Sequence, residues 1–283
     1  MSLVKVKNLT INFKQYDNIV EAVRGISFEI NQGESLGVVG ESGSGKSVTF
    51  MTVMGLLNSP TSIIKADLIE IDGINVLERS KENIKKIRGK IAAMVFQDSM
   101  TSFDPLHTIG YQIAETIITH KNIDKKEALK KAEQLLERVE IQNSDKVLNY
   151  YPHQLSGGML QRAMIAMALS CEPKLLIADE PTTALDVTVQ AQILQLLTDI
   201  QKETNMSFVM ITHDLGVIAE TVDRVLVMYS GKIMENSNVF DIFNNPKHPY
   251  TKALIDSIPG RHPGKQRLKE ISKENRELWY AET

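Results

Sequence analysis

The chain has 283 residues, of which 42% are hydrophobic, and its formal net charge is −3. A chain of this size and composition can bury one large core or two modest ones, so we expect one main domain with a subdomain. A slightly negative net charge gives the molecule no overall positive field to attract phosphate backbones, which argues against nucleic acid as its main partner. The sequence also lacks both an apolar run of the ~20 residues that cross a bilayer and the apolar segment of a signal peptide, so we expect the protein to stay inside the cell.

Three β-strands are predicted in the first 39 residues. Residues 3–13 and 22–30 alternate apolar and polar side chains, as half-buried strands do, and the turn Asn31-Gln32-Gly33 follows. The short apolar run at residues 36–39 is typical of a buried strand. We therefore expect a small antiparallel sheet, followed by a strand that leads into the next motif.

Residues 40–47 read GESGSGKS, a complete G-x-x-x-x-G-K-[ST] phosphate loop. Its glycines let successive backbone N–H groups curl around phosphate oxygens, and the next helix points its positive end at the same oxygens. Lys46 adds a positive charge, and the Ser47 hydroxyl is a ligand for the Mg²⁺ that bridges the terminal phosphates. The motif predicts an ATP-type site rather than an ordinary glycine-rich turn. Its predicted binding residues are Gly40, Ser42, Gly43, Ser44, Gly45, Lys46 and Ser47.

The middle of the chain changes from strands to helices. We predict, in order, a helix over residues 48–57, strands over 67–72 and 91–96, a loop over 98–105 and helical structure over 109–139. Gln97 stands at the end of one of these strands. The charged helical stretch predicts an inserted helical subdomain, at about residues 98–165, with a solvated face.

Residues 155–162 read LSGGMLQR and precede an apolar helix. A Ser-Gly-Gly turn that opens a helix can bind an anion, although this one brings no lysine of its own. Such a turn could cap phosphates that are held elsewhere, but it is also common in proteins without any ligand. We predict Ser156, Gly157 and Gly158 as its contact residues.

The apolar strand predicted at residues 174–178 ends in Asp179 and Glu180. A carboxylate at a strand tip can hold Mg²⁺, which fits Asp179, while Glu180 can polarise the water that attacks the γ-phosphate. The alternative, two surface charges, is weakened by the phosphate loop.

A helix over residues 187–203 and a strand over 207–211 follow, and His213 comes just after that strand. Like Gln97 and Asp179 it ends a strand, and ligands bind at this edge of open α/β sheets. The lone cysteine, Cys171, is expected to be a buried, inert thiol.

Taken together, the phosphate loop, Gln97, LSGGMLQR, LLIADEP, TALD and the His213 strand resemble the ATP-binding cassette ATPases over about residues 3–255. The resemblance implies an α/β fold: a P-loop NTPase core, an N-terminal antiparallel β subdomain and an inserted α-helical subdomain. It also implies that two such domains pair head to tail, so that each ATP lies between one phosphate loop and the partner's copy of the Ser156-Gly157-Gly158 turn, the signature turn. This arrangement would explain an anion site without a lysine.

The resemblance assigns further roles. Phe13 matches the aromatic residue that stacks on adenine, with Tyr16 as the alternative. Gln97 matches the residue that senses Mg²⁺ and the attacking water, and Asp186 would lie at the dimer interface. His213 would hold the γ-phosphate and Glu180 in place. The implied catalytic residues are therefore Glu180, His213 and Gln97, and the implied Mg²⁺ ligands are Ser47, Gln97 and Asp179.

The stretches GGMLQRAMIAMAL and NPKHPYTKALIDSIPG resemble the first of the two ATPase subunits of dipeptide, oligopeptide and nickel importers. This implies a peripheral protein on the cytoplasmic face of the membrane. The implied partners are a second ATPase subunit, in a heterodimer or a homodimer, two permeases and an extracytoplasmic solute-binding protein. The implied role is to couple ATP hydrolysis to peptide uptake.

The tail beyond residue 255 leaves one alternative open. Many peptide importers continue into a cysteine-rich segment that binds an iron-sulfur cluster, but the tail at residues 256–283 contains no cysteine. We expect no cluster there and predict a short charged helix or a frayed terminus over residues 265–279. A nickel or metal-chelate importer therefore stays an alternative. An exporter subunit and a soluble ABC ATPase acting on nucleic acid or ribosomes are less consistent with the motifs.

Overall fold

The computed structural model describes residues 1–16, 18–78, 80–183 and 185–258. The strands are β1 (Ser2–Gln15), β2 (Asn18–Asn31), β3 (Ser35–Val39), β4 (Ser62–Lys65), β5 (Leu68–Ile71), β6 (Ile74–Asn75), β7 (Ala92–Val95), β8 (Leu175–Asp179), β9 (Ser207–Thr212), β10 (Arg224–Tyr229) and β11 (Lys232–Asn238). The helices are α1 (Lys46–Val53), α2 (Lys81–Ile87), α3 (Ser99–Ser102), α4 (Ile109–His120), α5 (Lys125–Arg138), α6 (Ser144–Val147), α7 (Gly157–Leu169), α8 (Val187–Thr204), α9 (Leu215–Thr221), α10 (Val239–Asn244) and α11 (Pro249–Asp256).

The described chain divides into two structural units. The first combines residues 1–78 with 209–258, and the second comprises residues 80–208. The first unit contains the phosphate loop, and the second contains the signature turn and the Asp179-Glu180 pair. The predicted boundaries of the cassette, its helical insertion and its C-terminal extension stay predictions.

An antiparallel sheet opens the first unit, as predicted. Strand β1 pairs with β2, with β4 and with β5, and β5 pairs with β6. Val4 and Val6 are buried in the first half of β1, and Leu9 and Ile11 are buried after the register shift that lies between Val6 and Leu9, so each half shows the alternation of a half-buried strand.

The first unit also carries the strand that precedes the phosphate loop. Strand β3 is buried along its whole length and lies between β10 and β9; β10 pairs with it in parallel and with β11 antiparallel. A strand buried on both faces reads as a continuous apolar run, and this explains the sequence of β3.

In the second unit the two strands β7 and β8 run parallel, with Val95 opposite Ala178. The helical part of this unit packs around α7, whose Leu160, Ala163 and Ile165 are fully buried. Because α7 is apolar on nearly all sides, it is an internal helix rather than an amphipathic surface one.

Three predicted boundaries are corrected by the structure. Helix α1 ends at Val53 rather than at residue 57, because Gly55 takes a left-handed φ of 64° and the Leu56 N–H donates to the Met51 carbonyl, a Schellman cap. The predicted loop at 98–105 contains the short helix α3, since the Asp98 carboxylate accepts from two backbone N–H groups. The helical stretch 109–139 is two helices, and Asp124 caps the second one.

The other predicted strands and helices, including the helix over residues 187–203, are confirmed to within a few residues. The prediction for residues 265–279 lies outside the described residues.

Candidate functional site

The phosphate loop connects β3 to α1 through backbone conformations that favour glycine. Gly40 has a φ of 154° and Gly45 a φ of 97°. A Cβ on Gly40 would lie 2.0 Å from the Met228 carbonyl oxygen, and one on Gly45 would lie 2.6 Å from the Ala22 carbonyl oxygen. Backbone packs directly against backbone here, so the space and the conformation both exclude side chains.

Lys46 closes the loop on itself. The residue is 5% exposed, and Nζ donates to the carbonyl oxygens of Gly40 at 2.8 Å and Glu41 at 2.9 Å. A buried ammonium needs such partners, and the carbonyl dipoles supply them. The loop therefore positions the Lys46 ammonium group at the N-terminus of α1, which suits the binding of anionic phosphates.

The remaining predicted residues of this part of the site occupy different environments. Ser42 and Gly43 are exposed, Ser44 is buried and Ser47 is half-buried in the first turn of α1. Phe13 is half-buried on β1, opposite Val20 of β2 and Ser62 of β4. Tyr16 is fully exposed.

The carboxyl ends of β7 and β8 bring two predicted catalytic residues together. Gln97 Nε2 donates to Glu180 Oε2 at 3.1 Å, and the Thr183 hydroxyl donates to the same oxygen at 2.9 Å. Asp179, the last residue of β8, is 7% exposed. The Gln97–Glu180 contact agrees with the shared strand edge that the sequence predicts. Thr183 was not singled out from the sequence; its only signal there is its place three residues after Glu180.

Glu180 also has an unusual backbone, with a left-handed φ of 46°. Residues other than glycine rarely adopt this conformation, and here it turns the chain directly after a buried strand. His213 follows β9 in the other unit and is exposed; its predicted contacts with a γ-phosphate and Glu180 stay predictions.

The signature turn has an open surface. Ser156 is the N-cap of α7, its hydroxyl accepting from the Met159 N–H at 3.3 Å, and both Ser156 and Gly157 are exposed. Asp186 caps the next helix, α8, through bonds from the N–H groups of Thr188 at 3.1 Å and Val189 at 3.0 Å. Its predicted place at a dimer interface stays untested.

A cavity of about 460 Å³ adjoins the signature turn, lined by Glu140, Asn143, Met159 and Arg162 among others. Arg162 spans its wall, donating to the Val139 carbonyl and to the Glu140 carboxylate, both at 2.8 Å. Since Val139 is the C-cap of α5, the bonds from Arg162 connect the C-terminal end of α5 to α7.

Three further findings bear on the chemistry. Cys171 is buried, as predicted, and burial raises the pKa of its thiol.

Within the described ranges, no cluster of three or more His, Cys, Asp or Glu side chains could hold a metal ion. The helices of that same part of the chain include none long and apolar enough to cross a membrane.

Two family models match the chain. The first, described as ABC transporter, matches residues 23–183, and the second, described as the C-terminal region of oligopeptide/dipeptide transporters, matches residues 234–280.

Several curated relatives are about half identical to the chain. The probable peptide ABC transporter ATP-binding protein y4tR of Sinorhizobium fredii is 50% identical over 95% of this chain and 81% of its own length. The oligopeptide transport ATP-binding protein OppD of Bacillus subtilis is 50% identical over 91% of this chain and 72% of its own length. The glutathione import ATP-binding protein GsiA of Escherichia coli is also 50% identical, but this chain spans only 42% of its length.

Solved structures share the fold. The dimeric ATP-binding cassette MJ0796, in a post-hydrolysis state bound to ADP and Pi, has a TM-score of 0.74 and 31% identity, and the match covers 83% of this chain and 98% of that one. The protein cbiO1 from Clostridium perfringens, part of the ABC transporter complex cbiONQ, has a TM-score of 0.68 and 30% identity over 86% of this chain and 91% of its own.

Proposed function

This chain belongs to the family of ABC transporter ATPases, and we propose that it is the ATP-hydrolysing subunit of an importer of di- and oligopeptides. The observation that carries the proposal is the succession of two family matches in one chain. The ABC transporter match contains the phosphate loop, the signature turn and Asp179-Glu180, and the oligopeptide/dipeptide transporter match begins at residue 234. The names of y4tR and OppD support peptides as the cargo.

The proposed partners are a second ABC ATPase subunit, two membrane permeases and an extracytoplasmic solute-binding protein. The subunit would sit peripherally on the cytoplasmic face of the membrane. The dimeric state of MJ0796 supports an ATPase pair, which could be a heterodimer or a homodimer. The open surface of the signature turn supports the same idea, because a partner's nucleotide could reach it.

In the proposed reaction Lys46 pairs with the phosphates of ATP, and Glu180 accepts the proton of the attacking water. The bonds from Gln97 and Thr183 fix the Glu180 carboxylate, which suits a general base that must be positioned within hydrogen-bond reach of the water. Mg²⁺, when bound, neutralises charge on the phosphates, and the oxygen donors of Ser47, Gln97 and Asp179 are the proposed ligands.

The assignment of Glu180 is tested in the assembled transporter. Glu180→Gln keeps the shape and the hydrogen bonds but removes the base, so we expect ATP affinity to stay within about twofold while turnover falls by about 10²–10⁴-fold. Lys46→Ala should lose ATP binding instead. Glu172→Gln, which removes the same charge from a surface ion pair with Lys121, is the matched control. Hydrolysis by Glu180→Gln at the rate of that control would refute the assignment.

Two further measurements test the partners and the cargo. The purified chain should hydrolyse ATP poorly and gain activity with its partners, because positioning is most of phosphoryl-transfer catalysis.

In a strain that lacks the subunit, peptide uptake should be lost while nickel and metal-chelate uptake persists. The opposite pattern of uptake would replace peptides with a metal as the cargo.

A further inference from the structure

The peptide group between Gly40 and Glu41, at the start of the phosphate loop, is held from both sides. Its carbonyl oxygen, on Gly40, accepts from Lys46 Nζ at 2.8 Å. Its N–H, on Glu41, donates to the Tyr250 hydroxyl at 3.0 Å. Because the peptide group is planar and rigid, two bonds on opposite edges fix the orientation of the whole group.

The tyrosine that makes this contact lies deep in the first unit. Tyr250 is fully buried, and its ring lies 4.6 Å from that of Tyr229, at the end of β10, with an angle of 44° between the planes. A buried phenol retains a polar tip that requires a partner. The Glu41 N–H meets that requirement with a donor from the phosphate loop.

The start of α11, which carries Tyr250, is itself anchored to β11. His248 caps the helix, with Nδ1 accepting from the Tyr250 N–H at 3.1 Å. The Glu235 carboxylate, 8% exposed, accepts from the N–H groups of Lys247 and His248, both at 3.0 Å. Bonds from backbone N–H groups to a carboxylate are among the stronger ones in proteins. A chain of bonds therefore runs from β11 through residues 247–250 to the phosphate loop.

We propose that Tyr250 is a positioning residue for the phosphate loop, holding the Glu41 peptide in place when Lys46 turns from the loop carbonyls to the phosphates of ATP. The inference rests on the proposed ATP site. Lys46 cannot serve the loop carbonyls and the phosphates equally well, whereas the bond from Tyr250 does not depend on the ligand. The hydroxyl thus preserves the shape of the cradle, and a preorganised site binds more tightly.

The segment that holds Tyr250 lies within the match to the C-terminal region of oligopeptide/dipeptide transporters. In this chain, the proposed role of the segment His248-Pro249-Tyr250 is to place the Tyr250 hydroxyl against the phosphate loop. Its contact with the loop joins residues 209 positions apart.

The test is Tyr250→Phe, which keeps the ring and its packing on Tyr229 and removes only the hydroxyl. Ser257→Ala is the matched control, because it removes a hydroxyl at the C-terminal end of the same helix, where it donates to the Leu254 carbonyl oxygen. Affinity for fluorescent ATP and ADP analogues is measured on the isolated full chain, and KM and kcat for ATP are measured in the assembled transporter. Thermal unfolding without nucleotide reports any general loss of stability.

We expect Tyr250→Phe to bind both nucleotides about threefold to tenfold more weakly, the change that one hydrogen bond makes, and to raise KM for ATP more than it lowers kcat. Ser257→Ala should keep its affinity within about twofold even where it unfolds at a lower temperature. Unchanged affinity in Tyr250→Phe, or an equal loss in both variants, would overturn the inference. Failure of the wild-type chain to bind ATP would instead overturn the proposed function.

Hydrogen exchange on the wild-type chain keeps the inference testable if Tyr250→Phe does not fold. In the absence of nucleotide, the Glu41 amide should exchange more slowly than that of exposed Gly43, whose own N–H the phosphates of ATP would protect. Exchange of the Glu41 amide as fast as that of Gly43 would contradict the proposed role.

Discussion

Two glycine-rich turns of this chain open helices, and they are built in opposite ways. The phosphate loop at residues 40–47 is packed against backbone, with a buried lysine bonded to its carbonyls. The signature turn at residues 156–158 is exposed at Ser156 and Gly157, and Ser156 joins it to α7 by accepting from the Met159 N–H at its hydroxyl, at 3.3 Å, and from the Leu160 N–H at its carbonyl, at 2.9 Å. The first turn is shaped by its own chain before any ligand arrives. The second leaves its surface accessible to a ligand or a partner chain.

The glycines of the two turns also differ in what they provide. Gly40, Gly43 and Gly45 all have positive φ angles, whereas Gly157 and Gly158 do not. A Cβ on Gly157 would meet only the Leu185 side chain, at 3.7 Å, an ordinary contact distance. The chain itself therefore does not require a glycine at 157. A requirement there would have to come from a ligand or a partner, which is what head-to-tail pairing implies.

The largest effect is expected from breaking the phosphate loop. In Gly45→Ala the new Cβ meets the Ala22 carbonyl oxygen at 2.6 Å on a backbone with φ of 97°. We expect the free energy of unfolding to fall by about 1–3 kcal/mol and ATP affinity to fall by about 10²-fold or more.

Gly73→Ala is the matched control, since Gly73 has a φ of 78° but open space around its Cβ. Strain without a clash should reduce stability and leave ATP affinity as in the wild type. Chemical denaturation measures the stability of each variant, and titration with ATP measures its affinity. Normal ATP binding by Gly45→Ala would show that the loop is less preorganised than its packing indicates.

A smaller and more selective effect is expected at the signature turn. Gly157→Ala should leave the stability and ATP affinity of the isolated chain nearly unchanged, because the methyl group finds room. In the assembled transporter we expect turnover to fall by up to about 10²-fold, the cost of misplacing a group that is proposed to complete a partner's site.

Gly158→Ala provides the contrast, because its Cβ would lie 2.8 Å from Val189 Cγ1 and should destabilise the isolated chain as well. The rate at which a thiol reagent labels buried Cys171 reports the integrity of this unit, and it should match the wild-type rate in Gly157→Ala. Full transporter activity in Gly157→Ala would remove the proposed contact with a partner.

The smallest effect is expected from the pH dependence of Glu235. Burial disfavours the charged form of Glu235, but hydrogen bonds from the Lys247 and His248 N–H groups and the Thr251 hydroxyl, with the attraction of His248, together outweigh it and lower the pKa below its ordinary value of 4.5. The stabilisation from this carboxylate is therefore complete above pH 4.5 and is lost as pH falls through the lower pKa of the folded state.

Glu235→Gln should remove that part of the acid dependence and cost about 1–3 kcal/mol at neutral pH. The surface variant Glu70→Gln, which only breaks an exposed pair with Lys5, should change neither the stability nor its pH profile noticeably. Identical acid unfolding curves for Glu235→Gln and the wild type would show that this anchor of α11 contributes nothing. Glu235 anchors the start of α11, and Tyr250 of that helix contacts the phosphate loop. Glu235→Gln should therefore weaken ATP binding slightly more than Glu70→Gln does.

Local patterns in the sequence predict much of this architecture. The apolar run before GESGSGKS predicts β3, the Ser-Gly-Gly turn predicts the start of α7, and the polar ends of two apolar strands predict that Gln97 and Asp179 lie at one edge of the sheet, where Gln97 contacts the adjacent Glu180. These features depend on residues that are close along the chain or on the shared direction of parallel strands, so period and spacing are sufficient to reveal them.

The tertiary structure decides what depends on distant residues. The early end of α1 comes from a Schellman cap at Gly55 that apolar periodicity does not reveal. The bond from Tyr250 to the phosphate loop joins positions 209 residues apart, and the space around Gly157 and Gly158 is set by side chains of other segments. Sequence pattern fixes which groups a segment offers, whereas packing between remote segments fixes which of them meet, because those contacts form only when the whole unit folds.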